Sequence, residues 1–226
     1  GKNLETKDLI EAKVVELGNF NPSRDLADDT KVVVLANAEK LEEAQAEALL
    51  SFTLNGGGLW ICHGDQVNAE WYNRSLGPDG SNLLPLQLRN LGGSLTDDSI
   101  RTRVVAAHFD HPALSLFNDP RNGNLADADV WRWQRLEEPH DLMEKETTIL
   151  ARFETGDPFL AERKIGKGLV MQMSTSADGD WNNFPVRACF LPLIQQIASY
   201  LANQVTPPRN LPTGSTITHY LPESKA

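Results

Sequence analysis

Residues Asn55–Val67 read NGGGLWICHGDQV, and the fold turns on how they are read. Three glycines, Gly56–Gly58, end a helix, with Gly56 placed to cap its carboxyl end. Leu59–Cys62 is a short buried strand. His63-Gly64-Asp65-Gln66 opens a loop at the carboxyl end of that strand, where ligands bind in open α/β sheets. Just upstream, Lys31–Ala36 (KVVVLA) is a continuous β-branched run, the pattern of a strand covered on both faces. Between the two runs, Leu41, Ala44, Ala48, Leu49 and Phe52 share one face of a helix over 41–54. Glu39, Glu42, Glu43 and Glu47 load its amino-terminal half, as the macrodipole favours. Strand, helix and strand at this spacing predict a right-handed βαβ unit in a parallel sheet.

Outward from this unit the pattern weakens and then recovers. Upstream, Leu4–Ala12 is a weak helix and Lys13–Leu17 (KVVEL) a short strand, followed by a turn at Gly18–Pro22. Downstream, 66–95 is rich in loops around an apolar anchor, Asn82–Leu88. Ser99–Ala107 and Val130–Leu136 alternate like strands, the second half-exposed, with one or two helical turns expected at His111–Phe117. Thr147–Phe153, Phe159–Lys164 and Leu169–Ser174, joined by glycine turns, predict a β-meander that returns to the sheet. Pro185–Ala202 closes the chain's ordered pattern as a helix, with Pro192 expected in its first turn.

The 226 residues suffice for one sizeable α/β domain or two small ones. A net charge of -10 argues against binding nucleic acid or an anionic membrane, both of which need clustered Lys and Arg. Two cysteines, Cys62 and Cys189, are too few for a disulfide framework and are read as free thiols. No run is long and apolar enough to span a membrane, and no signal peptide is evident. The abrupt start and the Pro-rich end, Thr206-Pro207-Pro208 onward, predict a piece of a longer protein: a domain over 1–203 and a linker over 204–226 toward a further domain.

Three constellations bear on chemistry. Cys62-His63-Gly64-Asp65 has a cysteine at a strand end, as in a nucleophile elbow. His63, adjacent in an extended chain, points away from Cys62, and Trp60 stands where an elbow wants a small residue. A buried structural cysteine is therefore the favoured reading. His108-Phe109-Asp110-His111-Pro112 has the residue types of a metal site, but Pro112 opposes the helical geometry that would align the histidines. Asp110 capping the turn after Pro112 is preferred. Ser174–Pro185 follows the last strand of the meander, and Ser176, Asp178, Asp180 and Trp181 are placed to share a polar pocket with the first loop. Loop shaping by the two aspartates is an equal alternative. The five tryptophans are read as core or sheet cover, and Glu137 and Glu138 as a solvated face.

The run KVVVLANAEKLEEAQAEALLSFTLNGGGLWICHGDQVN resembles the class I glutamine amidotransferase-like fold. Together with ARFETGDPFLAERKIGKGLVMQMSTSADGDWNNFPVRACFLPLIQQIASYL, it looks most like divergent domains of bacterial membrane-anchored proteins that also carry a von Willebrand A module, of the aerotolerance-regulator type. The resemblance implies a flavodoxin-like three-layer sandwich with a mainly parallel central sheet plus a β-meander. True amidotransferases of this fold carry a Gly-x-Cys-x-Gly elbow and a late His-x-Glu pair. Here Cys62 lies in Trp-Ile-Cys-His-Gly, and the late strand runs Met171-Gln172-Met173-Ser174-Thr175-Ser176, so the resemblance implies a lost amidotransferase site. Trehalose-utilisation-type relatives are similar in their Gly-Gly-Gly-Leu strand and His-Pro turn.

The expectation is a non-catalytic ligand-binding or protein-interaction domain, with no cofactor and no metal, in a parent protein anchored in a bacterial envelope. The fragment itself is expected to be soluble, with an unknown small ligand or protein as partner. Its binding residues would be Gly64, Asp65 and Gln66 from one loop and Ser176, Asp178, Asp180 and Trp181 from the other. The alternative is a cysteine-dependent hydrolase or amidotransferase with Cys62 as nucleophile and His108 or His111 as base. A third reading is a metal-dependent carbohydrate-type enzyme using His63, Asp65, His108 or His111.

Overall fold

A computed structural model describes residues 10–27, 29–97, 99–138 and 146–202. The core is a five-stranded sheet in the order β1-β2-β7-β6-β5. Its strands are β1 (Val32–Ala36), β2 (Gly58–Cys62), β5 (Thr147–Arg152), β6 (Pro158–Ile165) and β7 (Gly168–Met173). β1, β2 and β7 pair in parallel, and the meander β5–β6–β7 pairs antiparallel, so β6 alone runs against the other four. The predicted strand–helix–strand unit and the meander are both present. A second, two-stranded antiparallel sheet joins β3 (Gln87–Gly93) to β4 (Arg132–Glu137).

Two helices cover the main sheet, one per face. Of these, α2 (Glu43–Leu54), preceded and followed in the chain by the short helices α1 (Pro22–Asp25) and α3 (Ala69–Trp71), belongs to the layer containing Leu49, Leu59, Ile61 and Val170, and α4 (Phe190–Leu201) to the layer containing Trp60, Met171, Leu193 and Ile197. The first helix begins with a reciprocal cap in which the Glu42 backbone N–H donates to the Gln45 side chain. It ends as expected at Gly56, whose φ of 112° only glycine adopts without strain. Its buried face is Gln45, Ala46, Leu49 and Thr53, rotated from the expected one, and Ala44 is exposed. Gln45 is held on that buried face, its Oε1 closing the cap and its Nε2 donating to the Phe20 carbonyl at 3.0 Å. Pro192 lies in the first turn of α4, as expected.

The interior strand β2 is buried along its whole length, and Leu59 and Ile61 have no exposed surface. Each such side chain contributes about 1.5–3 kcal/mol. By contrast β1, expected to be covered on both faces, is the edge of the sheet, and Val34 is 46% exposed.

The expected strand at Lys13–Leu17 makes no ladder and runs into a 3-10 helix at Leu17–Asn19, and Ile10–Ala12 is not helical. Ser99–Ala107 makes only isolated bridges, Thr102 to Val130 and Val104 to Phe153. His111–Phe117 is a turn leading into a 3-10 helix at Ser115–Asn118. Residues 1–9 and the predicted linker at 204–226 lie outside the described residues. Among the described residues no helix is long and apolar enough to cross a membrane.

Candidate functional site

The two predicted loops leave the sheet side by side. Cys62 is the register partner of Met173, so the loop after β2 and the loop after β7 emerge at the same edge. The first loop is held by a residue that the pattern of apolar positions did not single out, Asn37. It follows β1 with a φ of 52°, a conformation asparagine tolerates better than most residues. Its backbone N–H donates to the Cys62 carbonyl at 3.0 Å. Its side-chain oxygen accepts from the Gln66 N–H at 2.9 Å, and its amide donates to the Asp65 carboxylate at 2.8 Å. Gly64 is needed because a Cβ there would stand 2.2 Å from the Asn37 Cγ. Asp65 and Gln66 are left exposed and Gly64 buried.

The second loop satisfies most of its own polar groups. The Asn182 amide donates to the Ser176 carbonyl at 2.8 Å, and the Ser176 hydroxyl receives the Trp181 N–H at 3.3 Å. The Asp178 carboxylate accepts the Asp180 N–H at 3.0 Å, which is the loop-shaping role anticipated for it. Ser176 and Trp181 are buried, Trp181 to 1% exposure, while Asp178 and Asp180 are exposed. The structure therefore brings Asp65, Gln66, Asp178 and Asp180 to the surface at one edge of the sheet. It places Trp181 in the core rather than in an open aromatic wall.

Cys62 and His63 face opposite layers. Cys62 belongs to the cluster of Trp60, Met171 and Met173, and burial, reinforced by the Asp178 charge, pushes its thiol up. It sits in a regular ladder between Ala36 and Met173 and is not among the residues with positive φ. No elbow is formed. His63 is fully buried on the other side, its ring edge against Tyr72 at 6.1 Å between centroids. The late-strand residue Gln172 meets it there. Gln172 accepts the Leu86 N–H at 2.9 Å through Oε1, which fixes its amide, and Nε2 donates to the Leu86 carbonyl at 3.1 Å. The remaining amide hydrogen faces the His63 Nε2 at 3.0 Å. That nitrogen must therefore accept, so the ring proton is on Nδ1, which is buried without a partner among the described residues. Burial lowers the His63 pKa to about 3, so the ring is neutral.

The histidines proposed as a base for Cys62 are engaged elsewhere. His108 lies 3.2 Å from Asp110 on the surface. His111 Nδ1 accepts the Ala113 N–H at 3.3 Å, so the ring of His111 caps the turn after Pro112 and Asp110 points to solvent. His111 Nε2 faces Glu162 at 3.5 Å and the Tyr200 hydroxyl at 3.2 Å, on the layer of α4. Among the described residues no group of three His, Cys, Asp or Glu side chains is placed to hold a metal ion. A groove of about 520 Å³ lies between α2 and the helical segment over 69–76, lined by Glu43, Glu47, Leu50, Trp71 and Ser75, and none of the predicted residues lines it.

Asn37 and Gln172 had faint sequence signals: an asparagine directly after an apolar strand, and a glutamine between two methionines in a buried one.

No protein-family model and no curated protein matches the chain. Solved structures do resemble it. The cytoplasmic protein STM3548 from Salmonella typhimurium is 14% identical with a TM-score of 0.55, covering 76% of this chain and 71% of its own. The cytoplasmic protein STM1381 from Salmonella typhimurium LT2 is 14% identical with a TM-score of 0.56 over the same shares. A β-galactosidase from Bacillus circulans sp. alkalophilus is 18% identical with a TM-score of 0.53, and this chain matches 84% of itself to 25% of that enzyme. At these identities the likeness is one of fold alone.

Proposed function

We propose that the chain is a non-catalytic binding or protein-interaction domain on an amidotransferase-like α/β scaffold, carried by a larger membrane-anchored protein. The family and the parent rest on the sequence resemblance of 31–68 and 151–201. The observation that carries the absence of catalysis is the setting of Cys62. A nucleophilic cysteine needs a thiolate, a base in reach and a strained, exposed perch. Cys62 is 1% exposed, protonated and set in a regular parallel ladder, and His63 is turned to the other layer. What faces solvent is the edge formed by Asp65, Gln66, Asp178 and Asp180, suited to a ligand or partner that offers hydrogen-bond donors or positive charge. The test is glutamine hydrolysis by the purified protein and by Cys62→Ala. Ammonia release at background level in both is expected. Steady turnover that disappears in Cys62→Ala would overturn the reading.

A further inference from the structure

Ala46, Leu50 and Trp71 give the groove between α2 and the helical segment over 69–76 its apolar surface. Ala46 is buried, and Leu50, four residues on and so on the same face of α2, is half-buried. Trp71, on the facing segment, is also half-buried. Its ring and that of Tyr72 meet edge to face, 5.3 Å apart between centroids. Tyr72 is fully buried and its hydroxyl donates to the Ala38 carbonyl at 2.8 Å, so the indole rests on a fixed support. A tied turn completes the lining, in which the Ser81 N–H and hydroxyl both donate to the Ser75 carbonyl, at 2.9 and 3.1 Å.

The groove also carries charge. Glu43 and Glu47 line it, both exposed and one turn apart on α2. Like charges at this spacing oppose each other. The cap of α2 does not need them, because Glu42 and Gln45 build it. Among the described residues neither carboxylate has a hydrogen bond or an ion pair. Arg74, a cation of the facing segment, is engaged by Glu70 at 3.7 Å, and no basic side chain lines the groove among the described residues.

Aromatic and aliphatic walls beside two uncompensated carboxylates suit a flat cation on an apolar stem. A guanidinium meets each demand: its face stacks on an indole, its fork of N–H groups matches carboxylates, and its methylenes cover aliphatic surface. An ammonium is a strongly hydrated point charge and answers the carboxylates alone. At about 520 Å³ the groove exceeds one side chain and falls in the range that takes a small ligand, so residues flanking an arginine enter with it.

We infer that this groove is a docking site for a segment of another protein that presents an arginine, whose guanidinium lies on Trp71 and pairs with Glu43 and Glu47. The groove is separate from the acidic edge of the two loops, so the assignment stands or falls independently of that edge.

The test is a titration of the isotope-labelled protein with the peptide acetyl-Gly-Leu-Arg-Leu-Gly-amide, read at the Trp71 indole N–H signal, which Trp71→Phe assigns. Two further peptides replace the arginine by citrulline, its uncharged isostere, or by lysine. Expected is a saturable shift of the Trp71 signal with the arginine peptide, while Trp60 and Trp133, in the opposite layer, stay unmoved. The citrulline peptide should bind about tenfold more weakly, and the double variant Glu43→Gln, Glu47→Gln should weaken the arginine peptide by about the same factor. Raising salt from about 50 mM to about 500 mM should weaken binding to the wild type and not to the double variant. A Trp71 signal unmoved at about 10 mM arginine peptide would overturn the inference. So would equal binding of the citrulline peptide, which marks an apolar groove indifferent to charge, or equal binding of the lysine peptide, which marks a site for any cation. An affinity unchanged in the double variant would overturn it as well.

Discussion

Asn37 does three things at once, and substitutions can separate them. It adopts a left-handed φ, receives the Gln66 N–H and holds Asp65. Asn37→Ala loses both side-chain bonds and puts alanine, which tolerates a left-handed φ less well than asparagine, at this position, so a loss of about 2–3 kcal/mol is expected. Asn37→Gly loses the bonds but not the backbone fit and should be milder by about 1 kcal/mol. Urea unfolding of the two variants checks the order, and equal losses would show that φ is irrelevant there. His63 makes a second prediction. Its folded pKa, near 3, lies below the unfolded value of about 6.5. Between those limits the unfolded chain binds the extra proton, so stability falls as pH drops through this window. The slope from one such group is about 1.4 kcal/mol per pH unit. His63→Leu is expected to be less stable at pH 7, since it strands the Gln172 amide. Its stability should nonetheless fall less steeply from pH 6.5 to pH 4. Parallel curves would mean that His63 titrates normally.

At the scale of elements, the glycine run that decides the fold divides into three tasks. Gly56 turns the chain out of α2, Gly57 leaves room for the Phe52 ring, and Gly58 opens β2 beneath the end of α4. A Cβ on Gly58 would stand 2.6 Å from the Leu201 Cβ and 2.8 Å from its carbonyl oxygen. Gly58→Ala must therefore push α4 off the sheet, at a cost of about 1–3 kcal/mol. Gly56→Ala meets no atom closer than 3.7 Å, so its cost is the backbone strain of a positive φ alone, about 1–2 kcal/mol. Thermal or urea unfolding that ranked Gly56→Ala as the worse variant would contradict the packing of α4 on β2. The run announced a helix end followed by a strand because glycine and apolar spacing are local signals. That Gly58 serves a helix some 140 residues later was not legible, since nothing near it in sequence carries Leu201. The same limit misplaced β1: KVVVLA states its own preference for burial, not which neighbours it will find. The candidate site shows both sides of this. Asp65 and Asp178 were found as loop residues after apolar strands, whereas the burial of Trp181 depends on a bridge from Asn182 to Val130 that no local pattern encodes.

Across the whole molecule, the mixed sheet separates two cores, and both cysteines lie in the same one. Cys62 on β2 and Cys189 at the start of α4 are each 1% exposed and share the layer of Trp60, Met171 and Leu193. Burial raises both thiols, so the reactive thiolate is scarce even where reagent can reach it. Both side chains are packed inside that layer, so reagent reaches neither in the folded protein. Labelling by a thiol-specific reagent at neutral pH should therefore proceed through unfolding. Both sites should react together, slowed relative to the unfolded chain by the folding equilibrium constant, about 10³–10⁸ for small domains. Adding urea below the transition should speed both with the same dependence as global unfolding. Faster labelling of Cys62 than of Cys189, insensitive to urea, would reveal local opening at the end of β2. It would restore that residue as a candidate nucleophile, because local opening is the route by which a thiol at this strand end meets solvent without the core coming apart.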